Sequence, residues 1–131
     1  MDLLLGVDLG TTACKVTVVG SDLAVSSVSS PPYPISAPHR EWAEQDPLAW
    51  GEAVDTTVQR AMDSVGAGGR DHVTLAITGQ MHSLVLLDAD GNPARPAILW
   101  ADRRATAECS MIENQVPKMV HDNSVRAGNR S

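Results

Sequence analysis

A segment rich in glycine and threonine near the amino terminus has the residue types of a phosphate-binding turn. It runs Gly6-Val7-Asp8-Leu9-Gly10-Thr11-Thr12, and Lys15 follows in the next apolar stretch. Backbone N–H groups of such a turn and the hydroxyls of Thr11 and Thr12 are donors that a phosphate accepts, and Lys15 adds positive charge. Asp8 can hold a hydrated Mg²⁺ that bridges phosphate oxygens. The alternative is an ordinary hairpin, but the position between two apolar strands favours the phosphate interpretation.

A second segment, Thr78-Gly79-Gln80-Met81-His82, comes directly after an apolar run that is typical of a buried strand. Ligands often bind at the carboxyl ends of strands in open α/β sheets. Met81 can pack against one face of a small molecule, and His82 can hydrogen-bond its hydroxyls. From these residues alone the simpler interpretation is favoured, in which Met81 is a core residue and His82 a turn residue.

A third segment, Ile98-Leu99-Trp100-Ala101-Asp102-Arg103-Arg104, combines an aromatic ring with charged groups. Trp100 can stack on the C–H face of a sugar while Asp102 or Arg103 takes its hydroxyls. Alternatively, Trp100 is a core residue, Asp102 is the N-cap of a helix, and the two arginines lie in its solvated first turn. The residues by themselves leave both interpretations open.

The pattern of apolar residues predicts the strands that must position these segments. Residues Leu3–Leu9 and Cys14–Val19 predict a β-hairpin, and Leu23–Ser29 a third antiparallel strand. Residues 30–40 are rich in proline and serine and predict a loop. Further strands are expected at Val73–Thr78 and Leu84–Leu87, with an extended segment at Pro96–Trp100 whose prolines place it at an edge or outside the ladder.

Two helices are predicted. The first is capped by Asp46 and has Pro47 in its first turn. Its apolar face consists of Trp50, Val54, Val58, Ala61 and Val65, and Gly66 ends it. The second begins at Asp102 and has Ala105, Cys109, Ile112 and Val116 on one face. A meander of strands followed by a helix and a further strand predicts an α/β, ribonuclease H-like domain with a mixed sheet, as in actin and hexokinase.

Composition limits the classes of partner. The 131 residues carry a net charge of −6, which argues against binding to nucleic acid or to an anionic membrane surface. No run approaches the roughly 20 apolar residues of a membrane span, and the amino terminus lacks the basic start of a signal peptide. Cys14 and Cys109 are isolated thiols without metal-ligand neighbours. A cytoplasmic location is therefore expected.

Taken in order, the motifs resemble the FGGY family of carbohydrate kinases. The resemblance rests on the segment 6–12, on Trp42-Ala43-Glu44-Gln45-Asp46-Pro47, on Gly79-Gln80-Met81-His82, and on the stretch from Leu84 to Trp100. Gly-Gln-Met-His followed by Arg-Pro-Ala-Ile-Leu-Trp is similar to the members that phosphorylate D-xylulose, whereas glycerol kinases carry Arg-Glu at this position. The similarity extends over about residues 3 to 116.

The resemblance implies residue roles and substrates. Met81, His82, Trp100 and, less firmly, Asp102 would contact the sugar, and Asp8 would be important for activity. The phosphate path would include Gly10, Thr11, Thr12 and Lys15. The implied substrates are D-xylulose and ATP, with Mg²⁺, and the product is D-xylulose 5-phosphate. Ala101 stands where an Asn is expected in the family, so a sugar contact from that position is not carried over.

The resemblance also implies that residues 1–131 are the N-terminal portion of the first of two kinase domains. The catalytic base and the adenosine-binding segments would lie beyond Ser131, the isolated chain would be inactive, and the complete enzyme would be a candidate homodimer. Two alternatives stay open: a kinase for another ketose of the same family, and a binding module for a sugar or phosphate that performs no transfer.

Overall fold

A four-stranded mixed sheet forms the body of the molecule. The computed structural model describes residues 2–115. Strands β1 (Asp2–Leu9), β2 (Cys14–Val19) and β3 (Val25–Ser29) form an antiparallel meander. After an insertion and a helix, strand β5 (His72–Gly79) returns parallel to β1, which gives the order β3-β2-β1-β5. The predicted hairpin, third strand and mixed α/β sheet are confirmed, although the third strand begins two residues later than predicted.

Strict alternation of apolar residues sets which face of the hairpin is buried. Leu3, Leu5 and Val7 of β1 point to the same side as Val16 and Val18 of β2, and each is at most 4% exposed. In a strand, residues two apart share a face, so these side chains form one continuous apolar layer. The opposite face of β1 carries Leu4, Gly6 and Asp8 and is exposed.

Helix α1 (Pro47–Ser64) covers that apolar layer and packs mainly across β2 and β3. It begins where predicted, because the Asp46 carboxylate accepts the backbone N–H of Leu48 at 2.9 Å and Pro47 needs no acceptor. The predicted apolar face is confirmed: Trp50 and Ala61 are buried, and the valines of that face pack against them. Gly66, with a φ of 66°, follows the helix.

A small two-stranded sheet joins two connecting segments. It pairs β4 (Glu44–Gln45) with β6 (Ala97–Ile98). The prediction of a strand at 84–87 was wrong, because only single bridges form, from Leu84 to Ile98 and from Leu87 to Pro93. Proline cannot continue a ladder, which limits the pairing around residues 93 and 96.

Helix α2 (Thr106–Gln115) begins four residues after the predicted start at Asp102. The Asp102 carboxylate is used by other groups, as described below, and residues 103–105 form a turn instead. None of the side chains of α2 is fully buried. The predicted contribution of Val116 lies outside the described residues. Within residues 2–115, no helix has the length and apolar character needed to cross a membrane.

Candidate active site

The carboxyl ends of β1 and β5 bring the first two candidate segments side by side. In the parallel pair, Asp8 is opposite Thr78 and Leu9 is opposite Gly79. Both strands end at the same edge of the sheet. Strand β1 continues into the turn Gly10–Ala13, and β5 continues into Gln80–His82. The carboxyl edge of a sheet with parallel strands is a common location for ligands. The proximity of the phosphate turn and the small-molecule segment is thus a consequence of strand register.

The Thr11 hydroxyl connects all three candidate segments. It donates to Oε1 of Gln80 at 3.1 Å and accepts the indole N–H of Trp100 at 3.2 Å. Gln80 lies 69 positions and Trp100 lies 89 positions after Thr11 in the sequence. Thr11 was predicted to lie along the phosphate path, and in this structure its hydroxyl already has protein partners. Its position therefore depends on the two segments that carry the sugar-contact candidates.

Side chains outside the predicted site also hold the turn at 10–13, through hydrogen bonds to its backbone carbonyls. Gln45 Nε2 donates to the Thr11 carbonyl at 2.8 Å, and Gln45 Oε1 accepts the Trp50 indole N–H at 3.0 Å. The Tyr33 hydroxyl donates to the Gly10 carbonyl. Burial, together with the nearby Cys14 and Asp8, raises the pKa of Tyr33, so that its hydroxyl stays protonated to a higher pH than usual.

Three backbone donors of this turn are unused within residues 2–115. Gly10 N–H bonds the Ala13 carbonyl at 3.2 Å, but within residues 2–115 the N–H groups of Thr11, Thr12 and Ala13 have no acceptor. A Cβ at Gly10 would lie 3.1 Å from the Ala13 carbonyl oxygen, which is tighter than ordinary contact. Successive free N–H groups with the exposed Thr12 hydroxyl form a donor set suited to a phosphate.

Asp8 and Lys15 are cross-strand partners on the face of the sheet opposite α1, and both are exposed. Among the described residues, no cluster of three or more histidine, cysteine or acidic side chains could hold a metal ion. A protein-built cage is not what Mg²⁺ needs beside a nucleotide, because it binds mainly to phosphate oxygens and water with one or two carboxylates. The single carboxylate of Asp8 beside the phosphate-type turn fits that requirement.

Met81, His82 and Trp100 form an exposed surface next to this turn. Met81 is 75% exposed and Trp100 is 59% exposed, so the alternative interpretation of both as core residues is wrong. His82 has a φ of 59°, in the left-handed region that a residue with a Cβ seldom adopts. Such backbone conformations occur often at functional sites. The Trp100 backbone N–H bonds the Ser83 hydroxyl at 3.3 Å, which holds the two segments together.

Asp102 lies in a partly buried charge cluster, which we call the Arg104 cluster and which also contains Glu44, Arg95 and the ring of Trp42. Arg104 donates to both carboxylate oxygens of Asp102, at 2.8 and 2.7 Å, and to Glu44 at 2.7 Å. Arg95 pairs with Glu44 at 2.5 Å, and the Arg104 guanidinium lies 3.6 Å from the centre of the Trp42 ring. The cluster links residues 42–45 to residues 95–104.

The environment of Asp102 is that of a structural anion. Its carboxylate also accepts the backbone N–H groups of Ala43 at 2.7 Å and of Arg104 at 2.9 Å. The hydrogen bonds from the Arg104 side chain, followed by these backbone bonds, lower the pKa of Asp102 to about 2 despite burial. With four protein donors on two oxygens, a sugar contact would require one donor to be given up. The predicted sugar contact of Asp102 stays a prediction.

Sequence reasoning missed several residues that organise the site. Gln80 and Gln45 lay inside quoted motifs, but an isolated glutamine gives no sign of which distant group it will meet. Tyr33 lay in the proline-rich loop, where nothing predicted its return to the hairpin. Glu44 was part of the motif before the first helix, but the motif did not indicate that this residue is buried, with 5% exposure.

Comparison with known proteins agrees with this geometry. The N-terminal domain profile of the FGGY family of carbohydrate kinases matches residues 3–128. The xylulose kinase of Escherichia coli is 40% identical over 118 residues, which cover 88% of this chain and 24% of that enzyme. The chain thus spans about a quarter of the length of this curated relative.

Two solved structures from one organism show how far similarity of fold distinguishes between kinases of different sugars. A ligand-bound xylulose kinase from Lactobacillus acidophilus matches with a TM-score of 0.79 and 28% identity, over 88% of this chain and 23% of that one. A gluconate kinase from the same organism matches with a TM-score of 0.78 and 27% identity, over 87% and 23%. The backbone of this chain is therefore about equally similar to those of two kinases that are named for different substrates.

Proposed function

The chain belongs to the FGGY family of carbohydrate kinases, and on that premise we propose that it supplies the phosphate turn and sugar-binding surface of an ATP-dependent kinase for D-xylulose. The product is D-xylulose 5-phosphate. The observation that carries the proposal is the Thr11 hydroxyl, which bonds both the segment before Met81 and the Trp100 indole. A phosphate donor and a sugar acceptor must be held side by side for direct transfer, and these bonds join the two surfaces.

The exposed side chains have complementary roles in this proposal. Trp100 and Met81 offer apolar faces to the C–H groups of the sugar, and His82 bonds one of its hydroxyls. Asp102 acts at the same surface, either by direct contact or by fixing Arg104 and the segment that carries Trp100.

ATP would present its phosphates to the turn at Gly10–Ala13. The free N–H groups of that turn, the Thr12 hydroxyl and Lys15 bind phosphate oxygens, and Thr11 orients the turn. Mg²⁺, when bound, neutralises charge on the phosphates, and Asp8 holds its water ligands. The role of Asp8 is to fix that hydrated ion close to the transferred group.

Residues 1–131 are, in this proposal, the first part of the first of two domains of a cytoplasmic enzyme. The groups that bind adenosine and remove the proton from the sugar hydroxyl lie in the remainder, and the complete enzyme is a candidate homodimer. The isolated chain is therefore inactive, since a positioned general base alone contributes about 10²–10⁴-fold to rate.

A second candidate function is phosphorylation of a different sugar by the same site. The equal similarity to a gluconate kinase structure favours keeping it, because the sugar is chosen by a few side chains on a shared backbone. A module that binds without transfer is a further alternative, and it differs from both in having no turnover under any condition.

The test uses a completed kinase, here defined as this chain extended by its full reading frame or joined to the remaining three quarters of the E. coli xylulose kinase. ADP release is measured with D-xylulose, D-ribulose, glycerol and gluconate, and the isolated chain serves as the control. We expect turnover with D-xylulose to exceed that with the other three, and none from the isolated chain. Turnover with another of these sugars instead would identify the second candidate, and no turnover with any would contradict a kinase role.

A further inference from the structure

Next to the proposed sugar surface lies one buried polar group that the family assignment leaves without a role. We propose that Gln80 contacts the substrate directly, its side-chain N–H₂ donating a hydrogen bond to an oxygen of the sugar. The inference rests on the proposed function and adds a specificity-determining residue to it. Its basis is the way in which the two ends of the Gln80 amide differ.

The carbonyl end of the amide is fixed by the Thr11 hydroxyl. Indole N–H groups only donate, so the Thr11 oxygen acts as the acceptor for Trp100 at 3.2 Å. The hydroxyl hydrogen is then directed to Gln80 Oε1 at 3.1 Å. With the amide in this orientation its oxygen is bonded to Thr11, and its nitrogen lies at the other end.

The nitrogen end has no partner. Gln80 Nε2 is inaccessible to solvent, and within residues 2–115 it bonds no acceptor. Two other buried atoms share this property, but Thr57 Oγ1 lies on α1 in the core and Arg95 Nε lies in the Arg104 cluster. Gln80 differs from both because it directly precedes the exposed Met81 and the left-handed His82.

A buried donor without an acceptor is unfavourable, and native proteins seldom leave one unless a ligand or water completes it. An oxygen of a sugar bound against Met81 and His82 is an acceptor of the required chemistry. Because Thr11 holds the far end of the amide, the donor keeps its orientation, and sugar binding has only to expose the nitrogen end. Preorganised donors of this kind discriminate strongly against substrates that lack the acceptor.

The test compares Gln80→Glu and Gln80→Met in the completed kinase with wild type. Glutamate keeps an acceptor for Thr11 but replaces the N–H₂ with an oxygen, and methionine removes both ends at similar volume. We expect the KM for D-xylulose to rise about 10- to 100-fold in both variants, the size expected for one lost hydrogen bond to a buried group. The KM for ATP should change little. Gln59→Glu on the exposed side of α1 is the matched control and should leave both KM values unchanged.

A measurement without turnover separates binding from folding. D-xylulose alone should raise the melting temperature of wild type and of Gln59→Glu, and it should raise that of the two Gln80 variants much less. Each shift is measured from the melting temperature of the same variant without sugar, so that a change in stability is not mistaken for a change in binding. Substrates lacking the 1-, 3- or 4-hydroxyl then locate the acceptor. If one of these hydroxyls is the acceptor, the KM for the analogue that lacks it should be the same in wild type and in Gln80→Met. If the sugar carbonyl is the acceptor, Gln80→Met should raise the KM for all three analogues.

The outcomes for Gln80 and for the proposed function are distinct. If the completed kinase phosphorylates its sugar and the Gln80 variants retain the wild-type sugar KM and thermal shift, the Gln80 inference is overturned while the function stands. If no sugar is phosphorylated and none raises the melting temperature, the proposed function fails together with the inference. Where another sugar is the preferred substrate, the same variants are measured with that sugar.

Discussion

Strands β1 and β5 are neighbours with similar apolar sequences and opposite environments. In register, Leu3, Leu5 and Val7 pair with Val73, Leu75 and Ile77 on one face of the sheet. The three side chains on β1 are at most 4% exposed, whereas those on β5 are 43%, 57% and 63% exposed. The exposures differ because α1 packs over β1–β3, whereas no element among the described residues covers β5.

This contrast separates a part of the sheet that is covered by a helix from a part that is not. The β1–β3 sheet with α1 holds the turn at Gly10–Ala13, and β5 leads to the exposed Met81 and His82. Functional segments are commonly drawn from the less stable parts of a structure. Apolar side chains such as Leu75 also predict a covering layer that residues 2–115 do not provide.

The largest expected effect comes from truncating the paired leucines. Leu5→Ala should lower the free energy of unfolding of this chain by about 2–5 kcal/mol, because it opens a cavity in a packed layer. Leu75→Ala, at the opposite position in the same sheet, should lower it by less than about 1 kcal/mol. Urea unfolding followed by circular dichroism measures both. Equal losses would mean that β5 is already covered in solution.

The same pair sharpens the comparison in the completed kinase. There we expect the loss from Leu75→Ala to approach that from Leu5→Ala, because added chain would bury Leu75. A loss that remained small would show that the apolar face of β5 stays exposed in the longer protein.

A smaller effect is expected in the Arg104 cluster, which links residues 42–45 to residues 95–104. Arg104→Lys keeps the charge but loses the two-pronged contact with Asp102 and the stacking on Trp42. It should lower the free energy of unfolding by about 1–3 kcal/mol. Arg103→Lys, at the adjacent exposed position, is the control and should have almost no effect. A similar loss from both substitutions would contradict the role of the cluster.

The sequence predicted the packed region better than the open one, and the reason is physical. Alternation in Leu3–Leu9 and the capped pattern after Asp46 are local signals that packing reinforced, so the hairpin and α1 were correct. The strand predicted at 84–87 failed because its apolar residues match a strand pattern but gain only isolated bridges. Bonds such as Thr11 to Gln80 and Asp102 to Ala43 join residues 59 or more positions apart, and no local pattern encodes them.

Acid should reveal the smallest effect, through Asp102. The folded pKa of about 2 lies below the ordinary 3.8, so its contribution to stability is present above pH 3.8 and is lost as the pH falls towards 2. Asp102→Asn should be less stable than wild type at pH 5, and the difference should narrow between pH 3.8 and 2. Unfolding free energies across this range measure it. A difference that stayed constant would mean that the carboxylate charge contributes nothing.

The central claim is that the turn after β1 binds phosphate while the end of β5 binds the sugar. Steady-state kinetics of Asp8→Asn and His82→Ala in the completed kinase test it most directly. Asp8→Asn should lower kcat by roughly 10²–10³-fold with a small change in the KM for D-xylulose. His82→Ala should raise that KM about 10-fold to 100-fold, with some loss of kcat, and leave the KM for ATP nearly unchanged. A His82→Ala variant with a raised KM for ATP and an unchanged KM for D-xylulose would contradict the assignment.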